Sequence, residues 1–560
     1  MELNVNFAKT KQIDAVVIGS GAGGATVAWR LVDAGLHILL LEAGPRFVPS
    51  RDYPLSQPGW ERRRFPELPG SRAQVLYGDL GGLDPRYADL AHFNASTPQH
   101  IQGSRREPSH DGYAHVQGLG GSTLHYVGEA HRMHPDSLAL RQRTGSGSDW
   151  PVDYATLEPY YARAEDLIGV AGPDNPSVRW RSRAYPQPAH PLSPAAVRLQ
   201  GAAEQLGWDW SANPRAVLSQ PRGNRPACNY CGQCSRGCPI GDKGSSDVTC
   251  IAPAEATGRL RVITNATVTA LYHGRDGRIK KLEYHHEGRR HHQETPLVFL
   301  CAGAVQTPRI LLAGHTADHP AGLANSSGEV GRNFMETLSY MVSGFAPDLR
   351  YSQRGLPADA VSWQFNAPDA VEGVSGGFRL GSAVQEIGLN APIAYGVRLL
   401  NGHGAAFKAD MRQRFGSALS VLTVGEVIPD ARSYVGLSET QQDKFNVPLP
   451  VINSVLTDNS LALLNKMAEA ARKLITQAGV SEMMEQYSSW DRFTATHVFG
   501  TCRMGNDPAR SVTDSFGRTH DHPNLFIADG SLFPSSGGGE GPALTIAALG
   551  LRAADKALAA

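Results

Sequence analysis

Two short runs in this chain concentrate the residues able to do chemistry. Cys228, Cys231, Cys234 and Cys238, the last followed by Pro239, have the spacing C-x2-C-x2-C-x3-C-P. Thiolates so spaced wrap tightly around a small inorganic core, and the pattern is that of iron–sulfur proteins. Three of them could hold a 3Fe–4S centre and all four a 4Fe–4S centre, with Cys250 able to substitute for one. Structural zinc, which also takes CxxC pairs, and disulfides stay open beside that reading. The second run is Gly19-Ser20-Gly21-Ala22-Gly23-Gly24. Gly19 permits a tight turn, Gly21 lets backbone approach a pyrophosphate, and Gly24 lets helix and strand pack closely. Glu42, 23 residues after Gly19, is placed to accept from a ribose hydroxyl. A dinucleotide is expected at this turn.

Such a turn works only if a strand delivers it and a helix leaves it. Ala15–Ile18 is a short buried-strand pattern, Ala25–Ala34 is helical, and His37–Leu41 is a second strand ending at Glu42, which completes a βαβ unit. Helices are predicted at 154–167, 195–206, 460–478 and 544–558, and strands at 260–272, 282–286, 387–389 and 419–424. The polar stretch 49–118 reads as a long covering loop. The fold class expected is α/β (α+β overall), a nucleotide domain interrupted by a β-sheet substrate domain. The boundaries predicted are 1–150, 151–240 (with the cysteine insertion), 241–337, 338–490 and 491–560.

Composition excludes several functions. Lys+Arg and Asp+Glu are 53 each, so no overall basic field exists to hold nucleic acid. No apolar run approaches the ~20 residues of a membrane span. Met1–Gln12 lacks a secretory signal pattern, so the protein is expected in the cytoplasm, or in the periplasm by co-export with a partner subunit. His285-His286 and His291-His292 flank Glu287-Gly288-Arg289-Arg290, which reads as an exposed hairpin tip with metal capture a weaker reading, and Arg62-Arg63-Arg64 reads as a solvated loop.

Further motifs give the chain a resemblance. Gly120-Gly121-Ser122, Gly303-Ala304-Val305-Gln306-Thr307-Pro308-Arg309, His497-Val498-Phe499-Gly500-Thr501 and Asp529-Gly530-Ser531-Leu532-Phe533-Pro534 follow the Gly19–Gly24 turn in order. Collinear over some 500 residues, they resemble the successive signatures of the glucose–methanol–choline (GMC) flavin oxidoreductases. Trp150-Pro151, Leu157-Glu158-Pro159-Tyr160-Tyr161 and the cysteine run look most like the catalytic subunits of bacterial sugar dehydrogenases, although similar Cys-rich loops occur in GMC alcohol and sterol oxidases.

The resemblance implies a Rossmann-like FAD-binding domain of GMC type. It assigns FAD to Gly19, Gly21, Gly24 and Glu42, with Gly121 and Ser122 near the flavin and Val268 at the adenine. Asp529 and Gly530 fall at the pyrophosphate and ribityl chain, and Thr545 at the isoalloxazine end. His125, followed by Tyr126, is expected to pack against the flavin ring; in some members the equivalent histidine is joined to it covalently. His497 becomes the base that takes the hydroxyl proton while hydride leaves for the flavin. The family's second catalytic residue falls on Glu540 when counted from Pro534 and on Gly541 when counted back from Thr545. The activity implied is oxidation of an alcohol group of a sugar or polyol. Electrons would pass through an iron–sulfur cluster to a cytochrome or other acceptor, with a small export subunit as further partner. An oxygen-reducing oxidase with structural cysteines is the alternative, and a non-catalytic subunit retaining the fold is a third reading.

Overall fold

The computed structural model describes residues 12–53, 100–102, 115–174, 179–386, 388–400, 402–489 and 497–559. Most of the expected covering loop, Arg62-Arg63-Arg64 included, lies outside them. Ala15–Ile18, fully buried, forms a strand between Ile38–Leu41 and Val298–Leu300, and Leu260–Ile263 and Leu525–Ile527 extend the sheet to five parallel strands. Its strands are near-continuous Val, Ile and Leu because both faces are buried, one against the helices Ala22–Asp33 and Ala543–Leu558 and the other against the strands Thr267–His273 and Ile279–His286. The helix after the glycine turn is Ala22–Asp33, three residues longer at its start than the pattern predicts, so Gly23 and Gly24 fall inside its first turn. Packing explains this. A Cβ on Gly23 would lie 1.7 Å from the Ala528 carbonyl oxygen, and one on Gly24 would lie 2.0 Å from that of Gly19.

The predicted strand 260–272 is two strands. Asn265 adopts φ +53, which lets Leu260–Ile263 stay in the parallel sheet while Thr267–His273 turns into an antiparallel sheet with Ile279–His286 and Arg289–Glu294. Period-2 alternation continues through both halves, so the break carries no hydrophobic signal.

The second large sheet has six strands in the order Glu482–Ser488, Leu338–Phe345, Ala418–Gly425, Phe378–Ser382, Ala360–Phe365, Ser211–Ala212, antiparallel throughout. The helix Asp458–Gln477 packs on its Leu338–Phe345 and Ala418–Gly425 strands, burying Leu463, Leu464, Met467, Ala471, Leu474 and Ile475. Leu389, expected in a strand, lies in a turn, and Ile387 is outside the described residues. No helix among the described residues is long and apolar enough to cross a membrane.

Candidate active site

One cavity of about 1340 Å³ joins the glycine turn to the six-stranded sheet. That exceeds the roughly 300–1,000 Å³ of a small-molecule site and leaves room for a dinucleotide together with a substrate. Gly19, Gly21, Glu42, Gly121, Ser122, His125, Val268, Asp529 and Gly530 all line it. Gly24 and Thr545 do not. Gly24 sits on the Gly19 backbone, and the Thr545 hydroxyl lies 3.0 Å from that of Tyr161. The helices Ala22–Asp33 and Ala543–Leu558 both begin on the cavity without a side-chain cap. Their first-turn N–H groups are therefore available to phosphate oxygens, and the residues present fit a dinucleotide.

The acids of this end serve the turns as well as the cavity. Glu42 accepts from the Ser20 N–H at 3.1 Å and the Gly44 N–H at 2.8 Å, while burial pushes its carboxyl up. Asp529 accepts from the Gly303 N–H at 2.9 Å and the Thr307 hydroxyl at 2.6 Å, tying two of the signature segments together.

His125 is buried with Nδ1 3.2 Å from the Ser235 carbonyl and its ring edge-on to Tyr53. Burial and the neighbouring Lys243 drive its pKa down to about 3, so the imidazole is neutral. Ser235 belongs to the cysteine run, and a second tie reinforces the first. The Lys243 ammonium, fully buried, donates to the carbonyls of Leu124 at 2.7 Å, Tyr126 at 3.0 Å and Cys234 at 2.7 Å. One side chain thus pins the cysteine loop to the segment flanking His125. Lys243→Met removes the donor from three interior carbonyls, at ~1–3 kcal/mol for each that stays unsatisfied. Chemical denaturation should show a loss of roughly 3 kcal/mol or more, and an unchanged midpoint would show that the lysine holds nothing together.

All seven cysteines are free thiols, as one of the alternative readings of the run allowed. Cys228, Cys231, Cys234 and Cys238 interact electrostatically with one another, and burial raises all four, Cys238 to about 11. Among the described residues no three His, Cys, Asp or Glu side chains converge as a metal site. Cys238 instead donates to Asp242 at 2.5 Å, and Cys228 accepts from the Tyr230 N–H at 3.3 Å. The run fits a cluster in donor type, but its sulfurs are not drawn to a common centre.

At the other end of the cavity His497 is half-buried and precedes the short strand Val498–Phe499, whose register against Met335–Glu336 fixes it. Burial lowers its pKa to about 4 against the pull of Glu129, leaving a neutral imidazole at neutral pH. Glu540 does not line the cavity. Its carboxylate forms an ion pair with Arg179 and accepts from Asn366 Nδ2 at 3.1 Å and the His134 N–H at 2.9 Å. Gly541, reached by the backward count, is the residue on the cavity wall, and a Cβ there would lie 3.3 Å from Glu129 Cβ.

Sequence reasoning missed Glu129, Arg379 and Glu386, which line the cavity together with His497. Arg379 Nη2 meets Glu129 Oε2 at 2.7 Å and Arg379 Nε donates to the Gly539 carbonyl at 2.6 Å. A charged residue inside the apolar strand Phe378–Ser382 was a usable signal for Arg379; Glu129 and Glu386 had none. The histidine hairpin is found as expected: Ile279–His286 and Arg289–Glu294 pair around an exposed tip at 287–290. One side of it also borders the cavity, where His285, His286, Glu287 and Gly288 contribute, and His285 packs on Phe445 with ring centroids 4.4 Å apart.

A glycine-turn dinucleotide cleft opening onto a polar pocket that holds a neutral histidine defines a dinucleotide-dependent redox enzyme. Comparison with known proteins narrows the class. Sequence profiles of the GMC oxidoreductases match residues 146–338 and 429–550, and an NAD(P)-binding Rossmann-like profile matches 17–54. The chain is 30% identical to 2-methyl-1,2-propanediol dehydrogenase of Mycolicibacterium austroafricanum, covering 97% of this chain and 95% of that one. It is 29% identical to the fructose dehydrogenase large subunit of Gluconobacter japonicus, with 98% of each covered. Paromamine 6'-oxidase of Streptomyces fradiae is 30% identical over 97% of this chain and 90% of its own length. Pyridoxine 4-oxidase from Mesorbium loti shares the fold, with a TM-score of 0.67 at 18% identity over 98% of this chain and 100% of that one. The chain belongs to the GMC oxidoreductase family. It is an FAD-dependent oxidoreductase acting on CH–OH groups, and the mixed α/β fold with a Rossmann-like unit agrees with the fold class read from sequence.

Proposed function

We propose that this protein oxidises an alcohol group of a sugar or related polyol, with His497 as the base and with electrons leaving through the cysteine loop to a partner acceptor. The observation that carries the reading is one cavity lined both by the Gly19–Gly23 turn and by His497. FAD, when bound, supplies the hydride acceptor. The chain's own work is to hold the alcohol and to take its proton on the neutral imidazole of His497. Glu129 and Arg379 set the field around that imidazole, the first favouring the proton and the second opposing it.

The cysteine loop supports the second half of the proposal. It touches the His125 segment through Ser235 and Lys243, so a cluster held by Cys228, Cys231, Cys234 and Cys238 would lie beside the flavin region and supply a one-electron outlet. The name of the fructose dehydrogenase relative, a large subunit, supports a partner chain that receives those electrons or assists export to the periplasm. The competing oxidase reading is supported by relatives named as oxidases. Iron analysis of protein prepared without oxygen decides between them. Iron bound at a fixed ratio to flavin is expected. Iron-free protein that forms hydrogen peroxide with substrate would establish the oxidase instead.

A further inference from the structure

We propose that Glu386, with Arg379 and Glu129, forms a hydrogen-bonding wall that binds hydroxyl groups of the substrate next to the one oxidised; this inference rests on the alcohol-oxidising reading above. Two glycines border the wall. A Cβ on Gly541 would press on Glu129 Cβ at 3.3 Å, and one on Gly539 would press on Arg379 Cγ at 3.1 Å. The glycines clear the volume in which the ion pair stands.

Each member is fixed on one side and open on the other. Glu129 takes Arg379 on Oε2, and Asn213 donates to its Oε1 at 2.9 Å. Asn213 also meets His131 Nε2 at 2.6 Å, so the carboxylate is held from behind. Arg379 is 2% exposed, with Nε committed to Gly539 and Nη2 to Glu129. Among the described residues no hydrogen bond occupies its Nη1 or the Glu386 carboxyl, and both residues face the cavity. A buried guanidinium donor and a carboxyl left open in one pocket call for a ligand that offers both an acceptor and a donor. A hydroxyl does both, and two adjacent hydroxyls would span the pair.

Charge argues the same way. Arg379 and Glu129 neutralise each other, which leaves no strong field for a cationic or anionic substrate. Burial and the facing Glu129 push the Glu386 carboxyl up to about 7, against Arg379 and Arg215, so near neutral pH it can donate as well as accept.

The test is equilibrium binding to FAD-loaded protein with the flavin chemically reduced beforehand, so that no turnover occurs. Polyols are titrated against deoxy analogues lacking the neighbouring hydroxyl, in wild type and in Glu386→Gln and Glu386→Ala. Wild type should favour the polyol by about tenfold or more per hydrogen bond lost. That preference should shrink in Glu386→Gln and vanish in Glu386→Ala. Equal preference in all three proteins would overturn the proposal. An amino-polyol preferred over the polyol would overturn it too. Flavin reduction by the same compounds with oxidised protein reports separately on the reading beneath it. A polyol that binds through Glu386 without reducing flavin would sink the proposed function and leave the wall standing.

Discussion

Alcohol-driven flavin reduction in His497→Ala should be slower by about 10²–10⁴-fold, with FAD still bound. On the proposed function the neutral imidazole of His497 takes the hydroxyl proton, while Glu540, the other sequence candidate, forms an ion pair with Arg179. The same reasoning fixes the pH dependence. A base must be deprotonated to act, and the His497 pKa is lowered to about 4, so reduction should hold through the neutral range and fall as pH drops toward that value. Single-turnover mixing without oxygen measures both. A wild-type rate in the variant would remove His497 from the reaction.

The second large effect separates two glycines of one turn. At Gly24 a Cβ would lie 2.0 Å from the Gly19 carbonyl oxygen, a backbone atom that cannot swing away. Gly24→Ala should cost at least the ~1–3 kcal/mol of an overpacked core and lower the melting temperature of flavin-free protein. At Gly21 the backbone has φ −66 and ψ −168, open to any residue, and an added Cβ meets no protein atom within 4 Å. Gly21→Ala should therefore leave the flavin-free fold unchanged. Its methyl would stand where the pyrophosphate approaches, weakening FAD binding by roughly 10–100-fold, the equivalent of a ~1.4–3 kcal/mol clash. Thermal melts with and without FAD distinguish the two. A Gly21→Ala protein that melts early without flavin would contradict the assignment of that glycine to the cofactor.

The glycine turn was legible because its chemistry is local. Three small residues, a strand before them and an acid after them are fixed by backbone sterics within some 25 residues. The helix Asp458–Gln477 was legible because one apolar stripe repeats along it. The substrate wall was not. Glu129, Arg379 and Glu386 are brought together by three separate loops and strands, and nothing in the residues around Glu386 marks it as facing a cavity. The choice between Glu540 and Gly541 was not legible for a related reason. Counting along a glycine-rich loop cannot tell which of two adjacent residues points inward, and here Asn366 and Arg179 capture the carboxylate. The split of 260–272 was hidden because a single positive φ at Asn265 redirects the chain without disturbing the hydrophobic alternation. The cysteine run was legible as a donor set, whereas the lysine that ties it to the flavin region sits outside the motif and is recognised only by its burial.

The most direct measurement is single-turnover reduction of the FAD-loaded wild type, without oxygen, by a polyol and by the same polyol deuterated at its carbinol carbon. The account predicts complete bleaching of the flavin, slower with deuterium because the carbon–hydrogen bond breaks as hydride departs. A flavin that stays oxidised with sugars, polyols and simple alcohols alike, yet is reduced normally by a chemical reductant, would contradict it.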